Sequence, residues 1–458
     1  MMPSRANGGV DRSVPPPPGP LQPFHLPDVR AGELPNGLGI RSMQRGRVPL
    51  VSGCVVVDAG EAALGPDRAG LAVLAADSLQ GGTGRRSGAE LAEAFERLGS
   101  SLRASAGWSA TSVEFTCVAE RLESMLSLVT EVLREPRFPV DEVERVRRQR
   151  LATIRQRRME PDELADDELD RAVFASGHPY HRPLGGTEET VGSLTPDEVR
   201  AYASGRYAPR GGGFVLVGDV APDRVVALAE EHFGTWEGGG SPPAADAPAS
   251  SGKGGSVVVV NRDAAVQSEI RIGLPAPPRG HPDEIALRVA NLALGGAFTS
   301  RLNMSLRERH GFTYGARSGF SFRKTGGLFS IATAVQTEVT AAALGEAMGV
   351  FRRFAEEGPS NEELDRSREY LAGVFPLRME TTAQLAGRLV ELVIFGFPED
   401  YHHRYRDRIR SVDGEAARRA VRTHLEPARA AVVLVADADR VVASVEELDL
   451  GDVEVLGA

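Results

Sequence analysis

The stretch 236–256 reads WEGGGSPPAADAPASSGKGGS. It constrains the chain more than any other feature. Gly, Ala, Ser and Pro at that density bury too little apolar surface to join a core, so the stretch predicts a linker. It falls near the middle of 458 residues, a length that itself argues for more than one core. The segments on either side of it share one pattern, as expected of an internal repeat.

Each side opens on strand-like segments, 37–43 and 50–58 before the linker, 257–261 and 268–274 after it. A helical pair comes next in each, 69–79 with 88–98 and 283–294 with 300–308. Two further strands are expected at 101–106 and 112–118, matched by 314–322 and 327–334. The likeness is strongest after these. An amphipathic run over 120–133 breaks at Glu135-Pro136 and restarts at Asp141-Glu142, while 340–354 breaks at Gly358-Pro359 and restarts at Asn361-Glu362. Both restarts place acidic residues in the first helical turn, where the dipole favours them. A helix and a strand close each side, the strands at 214–217 and 430–435. Helices grouped apart from strands imply α+β architecture: two similar domains, each a mainly antiparallel sheet with helices packed on it. The expected boundaries are a Pro-rich, poorly ordered tail over 1–30, a first domain over 31–236, the linker over 237–256 and a second domain over 257–458.

The formal net charge of −10 disfavours broad nucleic-acid binding, which needs a basic field. No apolar run reaches the length of a membrane span, and the first residues carry no apolar segment of signal-peptide length. As given, the sequence reads as cytoplasmic, or as periplasmic if its start is misassigned. Cys54 and Cys117 are the only cysteines; each lies in an apolar β-like run and reads as a buried, reduced thiol.

One frame of residues carries more. Gly70-Leu71-Ala72 precedes Val73-Leu74-Ala75-Ala76-Asp77-Ser78, with Gly82-Thr83 and a helix ending in Leu98-Gly99 beyond it. Further on come Gly177-His178-Pro179-Tyr180 and, after the linker, Gly295-Gly296-Ala297-Phe298 leading into Leu306-Arg307-Glu308-Arg309-His310-Gly311-Phe312-Thr313-Tyr314. In order and spacing these resemble the M16 family, the insulinase and mitochondrial-processing-peptidase type of LuxS/MPP-like metallohydrolase, over almost the whole chain. The resemblance implies two M16-type domains, the first built around an inverted zinc motif H-x-x-E-H.

In that motif two imidazoles on one helix face and a distal carboxylate hold Zn²⁺, and the intervening Glu is general base toward its water. This chain matches the frame without that chemistry. The first His position is Val73, the Glu position Ala76, the second His position Asp77, and the distal ligand position falls at Thr153. The resemblance therefore implies a degenerate site with no metal of its own and no catalytic residues of its own. It also implies that Arg307 and Tyr314 match a pair that binds substrate across from the zinc. A guanidinium can grip peptide carbonyls, and a phenol can donate to a developing oxyanion. Alternatively Arg307 pairs with a carboxylate at a helix end and Tyr314 is the first core residue of a strand. Gly295 and Gly296 are read either as a substrate loop or as a helix end.

Taken together, the resemblance implies a non-catalytic subunit, inactive alone, of a heteromeric M16 metallopeptidase. Its partner would carry H-x-x-E-H and the zinc, and a peptide would lie between the two. The alternatives are a structural scaffold, a homodimeric peptide-binding protein and, least favoured, an enzyme with unrecognised ligands. His178 and His181 flank Pro179 and read as a structural loop. His402-His403, in a helix expected over 401–410, reads as a solvated surface. The Arg-rich run 145–158 reads as a solvated helix face with i,i+4 pairs.

Overall fold

The computed structural model describes Gly19, residues 24–238 and residues 254–457. Most of the expected tail and linker lies outside the described residues. Residues Phe24, Leu26 and Val29, within the segment expected to be poorly ordered, instead pack on an apolar cluster, with Phe24 edge-on to Phe375 at 6.1 Å. Their partners are distant in sequence, so no local periodicity marks them.

In the first half, strands β1 (Arg30–Glu33), β2 (Gly39–Gln44) and β3 (Leu50–Val57) lead to helices α1 (Leu71–Ser78) and α2 (Gly88–Arg97), then to β4 (Leu102–Ala106) and β5 (Thr111–Val118). Helices α3 (Leu122–Arg134), α4 (Val140–Met159), α5 (Pro161–Val173), α6 (Glu188–Ser193) and α7 (Pro196–Arg206) precede β6 (Gly213–Gly218) and α8 (Pro222–Phe233). The second half runs β7 (Val257–Asn261), β8 (Gln267–Ala276), α9 (Glu284–Asn291), α10 (Arg301–Asn303), β9 (Ala316–Phe322) and β10 (Gly327–Gln336). It continues through α11 (Thr340–Glu357), α12 (Asn361–Val374), α13 (Thr382–Phe395), α14 (Tyr405–Arg410) and α15 (Gly414–His424), and ends with β11 (Ala431–Ala436), α16 (Ala438–Glu446) and β12 (Val453–Gly457).

Each half forms a six-stranded sheet, in the orders β1-β2-β6-β3-β5-β4 and β12-β7-β11-β8-β10-β9. The architecture is α+β, with mixed sheets. β2 runs parallel to β6, and β11 and β12 both run parallel to β7, while the other pairs are antiparallel. The helix expected over 283–294 gives way to a wider, π-type turn at Leu292–Gly296, and a second such turn at Met304–Arg309 replaces most of the helix expected over 300–308.

The central strands are apolar on both faces, which suits strands covered on both sides. Alternation sends their side chains to two different cores. From β3 and β6, Val51, Val55, Val57, Phe214 and Leu216 enter the first half's own core. Cys54, Val56, Val215 and Val217 point the other way and meet Leu385, Leu389 and Val390 of α13, a helix from the second half. β11 repeats the arrangement. Val432 and Leu434 face the second core, while Ala431, Val433 and Val435 lie under Leu164, Ala165, Leu169 and Val173 of α5, a helix from the first half. Each half thus covers the outer face of the other's sheet. Glycine permits the close approach: a Cβ on Gly213 would meet Val393 of α13 at 2.8 Å, and one on Gly273 would meet Leu169 of α5 at 2.8 Å. Among the described residues, no helix is long and apolar enough to cross a membrane.

Candidate functional site

Helix α1 carries the positions of greatest chemical interest, and the frame residues around it hold it in place. Gly70 precedes it at φ +93°, and a Cβ there would meet the Gly185 carbonyl oxygen at 2.7 Å, so only glycine fits. The buried Glu61 carboxylate accepts the Gly70 N–H and, at 3.2 Å, the Ala72 N–H, satisfying donors that the helix start leaves open. Burial pushes that carboxyl up, and these hydrogen bonds and Arg182 oppose the push. Thr83 is buried, donates to Glu131 and accepts the Arg86 N–H at 3.0 Å. After α2, the Gly99 and Ser100 N–H groups bond back to Glu96 and Phe95 in a Schellman closure, with Gly99 at φ +65°. Each of these frame residues has a structural duty that owes nothing to a metal.

The positions within the frame differ. Val73 and Ala76 are buried and bring no donor atom. Asp77 reaches solvent, yet protein crowds its carboxyl and pushes its pKa up; the Arg150 guanidinium pulls it back down. Arg150 lies on α4, the helix expected to bring the distal ligand. It donates to the Leu184 carbonyl at 3.1 Å, and its tip occupies the space a side chain at Gly185 would need. Thr153, assigned the ligand position from sequence, is exposed and donates its hydroxyl to the Gln149 carbonyl at 3.1 Å. A lone carboxylate facing a fixed positive charge is a poor host for a dication, since the guanidinium repels what the carboxylate would attract. These residues do not fit a zinc ion.

Arg307 and Tyr314 sit in the other half, Arg307 within the Met304–Arg309 segment and Tyr314 in the turn that joins that segment to β9. The Arg307 guanidinium stacks over Phe298 at 4.4 Å, and its Nη1 lies 3.6 Å from Glu308 with no hydrogen-bond acceptor among the described residues. Tyr314 is 97% exposed and precedes the strand, so it is not a core residue. Its turn is braced: Thr313 Oγ1 accepts the Gly315 N–H at 3.1 Å, Thr333 donates to the Gly315 carbonyl, and Asn303 accepts the Ala316 N–H at 2.9 Å. The ring is therefore presented to solvent on a fixed support. Among the described residues no hydrogen bond or ion pair joins Arg307 or Tyr314 to α1 or α4. Gly295 is buried, and a Cβ on it would meet the Ser318 nitrogen at 2.5 Å. With Gly296 it ends the π-type turn that follows α9, packed against β9.

Two sequence profiles of one family match the chain. The profile described as insulinase (peptidase family M16) covers residues 46–188, and that described as peptidase M16 inactive domain covers residues 193–371. The chain belongs to the M16 family. It is similar to an uncharacterized zinc protease of Mycobacterium tuberculosis, 28% identical over 81% of this chain and 84% of that protein. It is also similar to a Helicobacter pylori protein named as a non-peptidase homolog, YmxG, 23% identical over 78% of this chain and 82% of that one. A Pseudomonas fluorescens crystal structure described as a peptidase M16 inactive domain superposes with a TM-score of 0.83 at 23% identity, covering 89% of this chain and 98% of that one.

For an M16 chain, the most informative residue missed in sequence is Arg150, one helical turn before Thr153. The only signal was its place in an Arg-rich helix. That helix is paired differently from the i,i+4 expectation, through i,i+3 contacts from Arg145 to Glu142 and from Arg147 to Glu144, and through Arg155 to Glu188 at 2.6 Å. His178 and His181 are committed locally: His178 Nδ1 accepts the Tyr180 N–H at 3.1 Å, and His181 Nδ1 lies 2.8 Å from the Phe174 carbonyl. His402 corrects an expectation. The helix there begins only at Tyr405, and the preceding turn buries His402 so that its Nε2 donates to the Arg388 carbonyl at 3.0 Å. His403 alone is exposed. Both cysteines are buried and free, and burial pushes Cys117 up to about 11.

Proposed function

We propose that this chain is a non-catalytic M16 subunit that lends Arg307, Tyr314 and half of a peptide chamber to a zinc-bearing partner. The observation that carries the reading is the contrast between its two candidate sites. Helix α1 offers one carboxylate already matched to Arg150, whereas Tyr314 stands almost fully exposed on a braced turn, and Arg307, seven residues earlier, stacks over Phe298. A solvent-facing phenol on a braced turn, with a half-buried guanidinium on the preceding segment, suits a substrate that arrives from outside the chain, held by main-chain hydrogen bonds. Zinc and the general base would come from an M16 partner bearing H-x-x-E-H. A second reading, a scaffold or peptide-binding protein with no part in proteolysis, gains weight from the Helicobacter pylori relative named as a non-peptidase homolog.

The test is reconstitution. The chain alone should leave peptides intact, and a mixture with an H-x-x-E-H-bearing M16 protein should cleave them. Arg307→Ala or Tyr314→Phe should then lower kcat/KM of the mixture on the order of a hundredfold, the scale for losing a donor to a developing oxyanion. Cleavage indifferent to both variants would favour the scaffold, and chelator-sensitive cleavage by the chain alone would overturn the proposal.

A further inference from the structure

The sequence suggests no metal anywhere on this chain, and α1 offers no fit for one. The second half contains a cluster of a different kind. His281 lies in the turn before α9, Asp283 immediately precedes α9, and His424 is the last residue of α15. One ligand atom from each of the three lies within 4.8 Å of the other two. His424 Nε2 is 2.9 Å from Asp283 Oδ2, and His281 Nδ1 is 3.9 Å from the same oxygen. The two imidazoles meet edge to face, with centroids 5.1 Å apart. All three side chains are partly exposed, at 32%, 25% and 16% for His281, Asp283 and His424.

We infer that His281, Asp283 and His424 form a binding site for a borderline divalent transition ion, with Zn²⁺ the natural candidate. Ligands on a tetrahedral zinc ion sit about 3.3 Å apart, given bonds near 2.0–2.1 Å. The observed separations bracket that value, so small side-chain rotations would bring the three atoms onto one ion. Two imidazoles and a carboxylate are the donor types that Zn²⁺ and its neighbours prefer over Mg²⁺ or Ca²⁺. The ligand atoms bond to one another and to one backbone N–H within the cluster. The Asp283 carboxylate makes no capping bond to α9, although the residue stands at its N-cap. His281 Nδ1, the nitrogen nearest Asp283 Oδ2, accepts the Asp283 N–H at 3.1 Å, so an ion bound there would take that lone pair in place of the amide proton. His424 ends a helix, where the dipole favours a cation. It also lines a cavity of about 300 Å³ with Val173 of α5, Gly273, Pro275 and Arg429. The ion would clip the turn before α9 to the end of α15. The competing explanation is a plain His424–Asp283 hydrogen bond tying α15 to α9, with His281 merely adjacent.

The test uses the untagged full chain, stripped with chelator and titrated with Co²⁺ as a spectroscopic probe and Zn²⁺ by calorimetry. One equivalent should bind at micromolar affinity, with visible Co²⁺ absorption of a four- or five-coordinate site. His281→Ala and Asp283→Asn should each weaken binding at least tenfold, while His181→Ala, in the unrelated His178 loop, should leave it unchanged. His281 sits in a partly exposed turn, so its variant keeps the test alive if His424→Ala does not fold. Absence of stoichiometric binding, or binding that His281→Ala leaves intact, would overturn the inference. Both readouts are independent of any peptidase partner.

Discussion

The two crossed helices do the same job by different means. α13 covers β2, β3 and β6 with Leu385, Leu389, Val390 and Leu392, all buried, against Met43, Cys54, Val56, Val215 and Val217. α5 covers β8 and β11 with an apolar strip of Leu164, Leu169 and Val173, but flanks it with acids aimed at arginines of the other half. Arg271, almost wholly buried on β8, pairs with Asp166 and Glu269 and donates to the Asp162 carbonyl at 3.1 Å. Arg323 binds both oxygens of Asp170, at 3.2 and 3.1 Å, and lies over the Tyr180 ring at 4.6 Å. One interface is thus close-packed hydrocarbon and the other a charged lattice around a narrow apolar strip. Related topology does not fix the forces that hold it, and the two interfaces should answer differently to cavities, pH and salt.

The largest difference should come from a cavity. Leu389 has no exposed surface and lies in the middle of α13. Leu389→Ala removes its packing against the first sheet and leaves a void that a rigid strand cannot fill. The expected loss is about 3 kcal/mol, measured by urea unfolding. A loss below about 1 kcal/mol would mean that α13 is not a core element and would erase the contrast.

pH should move the two interfaces in opposite directions. Burial raises Asp170 to about 6 from an ordinary 3.8, with Arg323 only partly opposing it. A carboxyl raised in the folded state carries a penalty that is full above about pH 6 and is relieved as pH falls toward its unfolded value. Burial lowers His402, bonded to the backbone of α13, to about 4 from 6.5, with Glu391 partly opposing. An imidazole held neutral costs stability as pH falls through 6.5 toward 4, because the unfolded chain takes up the proton first. Between pH 7 and pH 4.5 the wild type should therefore gain on Asp170→Asn and lose against His402→Gln. Each change should be about 2 kcal/mol at most. Parallel pH series of unfolding free energies check this, and equal slopes for both variants would sink it.

Local chemistry made some of these elements legible in sequence. The strand expected over 257–261 is β7, because an uninterrupted Val run between turn residues has one good solution. Ser87 and Glu90 form a capping box that fixes the start of α2. What could not be read is where an amphipathic surface goes. The apolar positions of α5 and α13 are plain, but nothing in a helix period says that each belongs to the other half's sheet. The same limit hid the site details. Counting along α4 selects Thr153, whereas packing against Gly185 selects Arg150. His424 lies 141 residues from Asp283, and only the fold brings them together. His402 was misread because an expected helix proved to be a turn that folds the side chain inward.

The smallest expected effect separates the two arginines of the α5 interface. Asp166 pairs with buried Arg271, but its own side chain is 56% exposed, and Arg271 keeps Glu269 and the Asp162 carbonyl when Asp166 is removed. Water competes for the Asp166 carboxylate, so Asp166→Ala should cost less than about 1 kcal/mol, and less still at 1 M salt. Arg323 has no such reserve, because among the described residues its ion pairing goes to Asp170 alone. Comparing Asp166→Ala with Asp170→Ala by urea unfolding at pH 7, in low and high salt, therefore asks whether the charged lattice acts as a unit. If removing Asp166 costs as much as removing Asp170, and salt leaves both unchanged, buried Arg271 depends on Asp166 as Arg323 depends on Asp170, and the interface is stiffer than its exposed rim suggests.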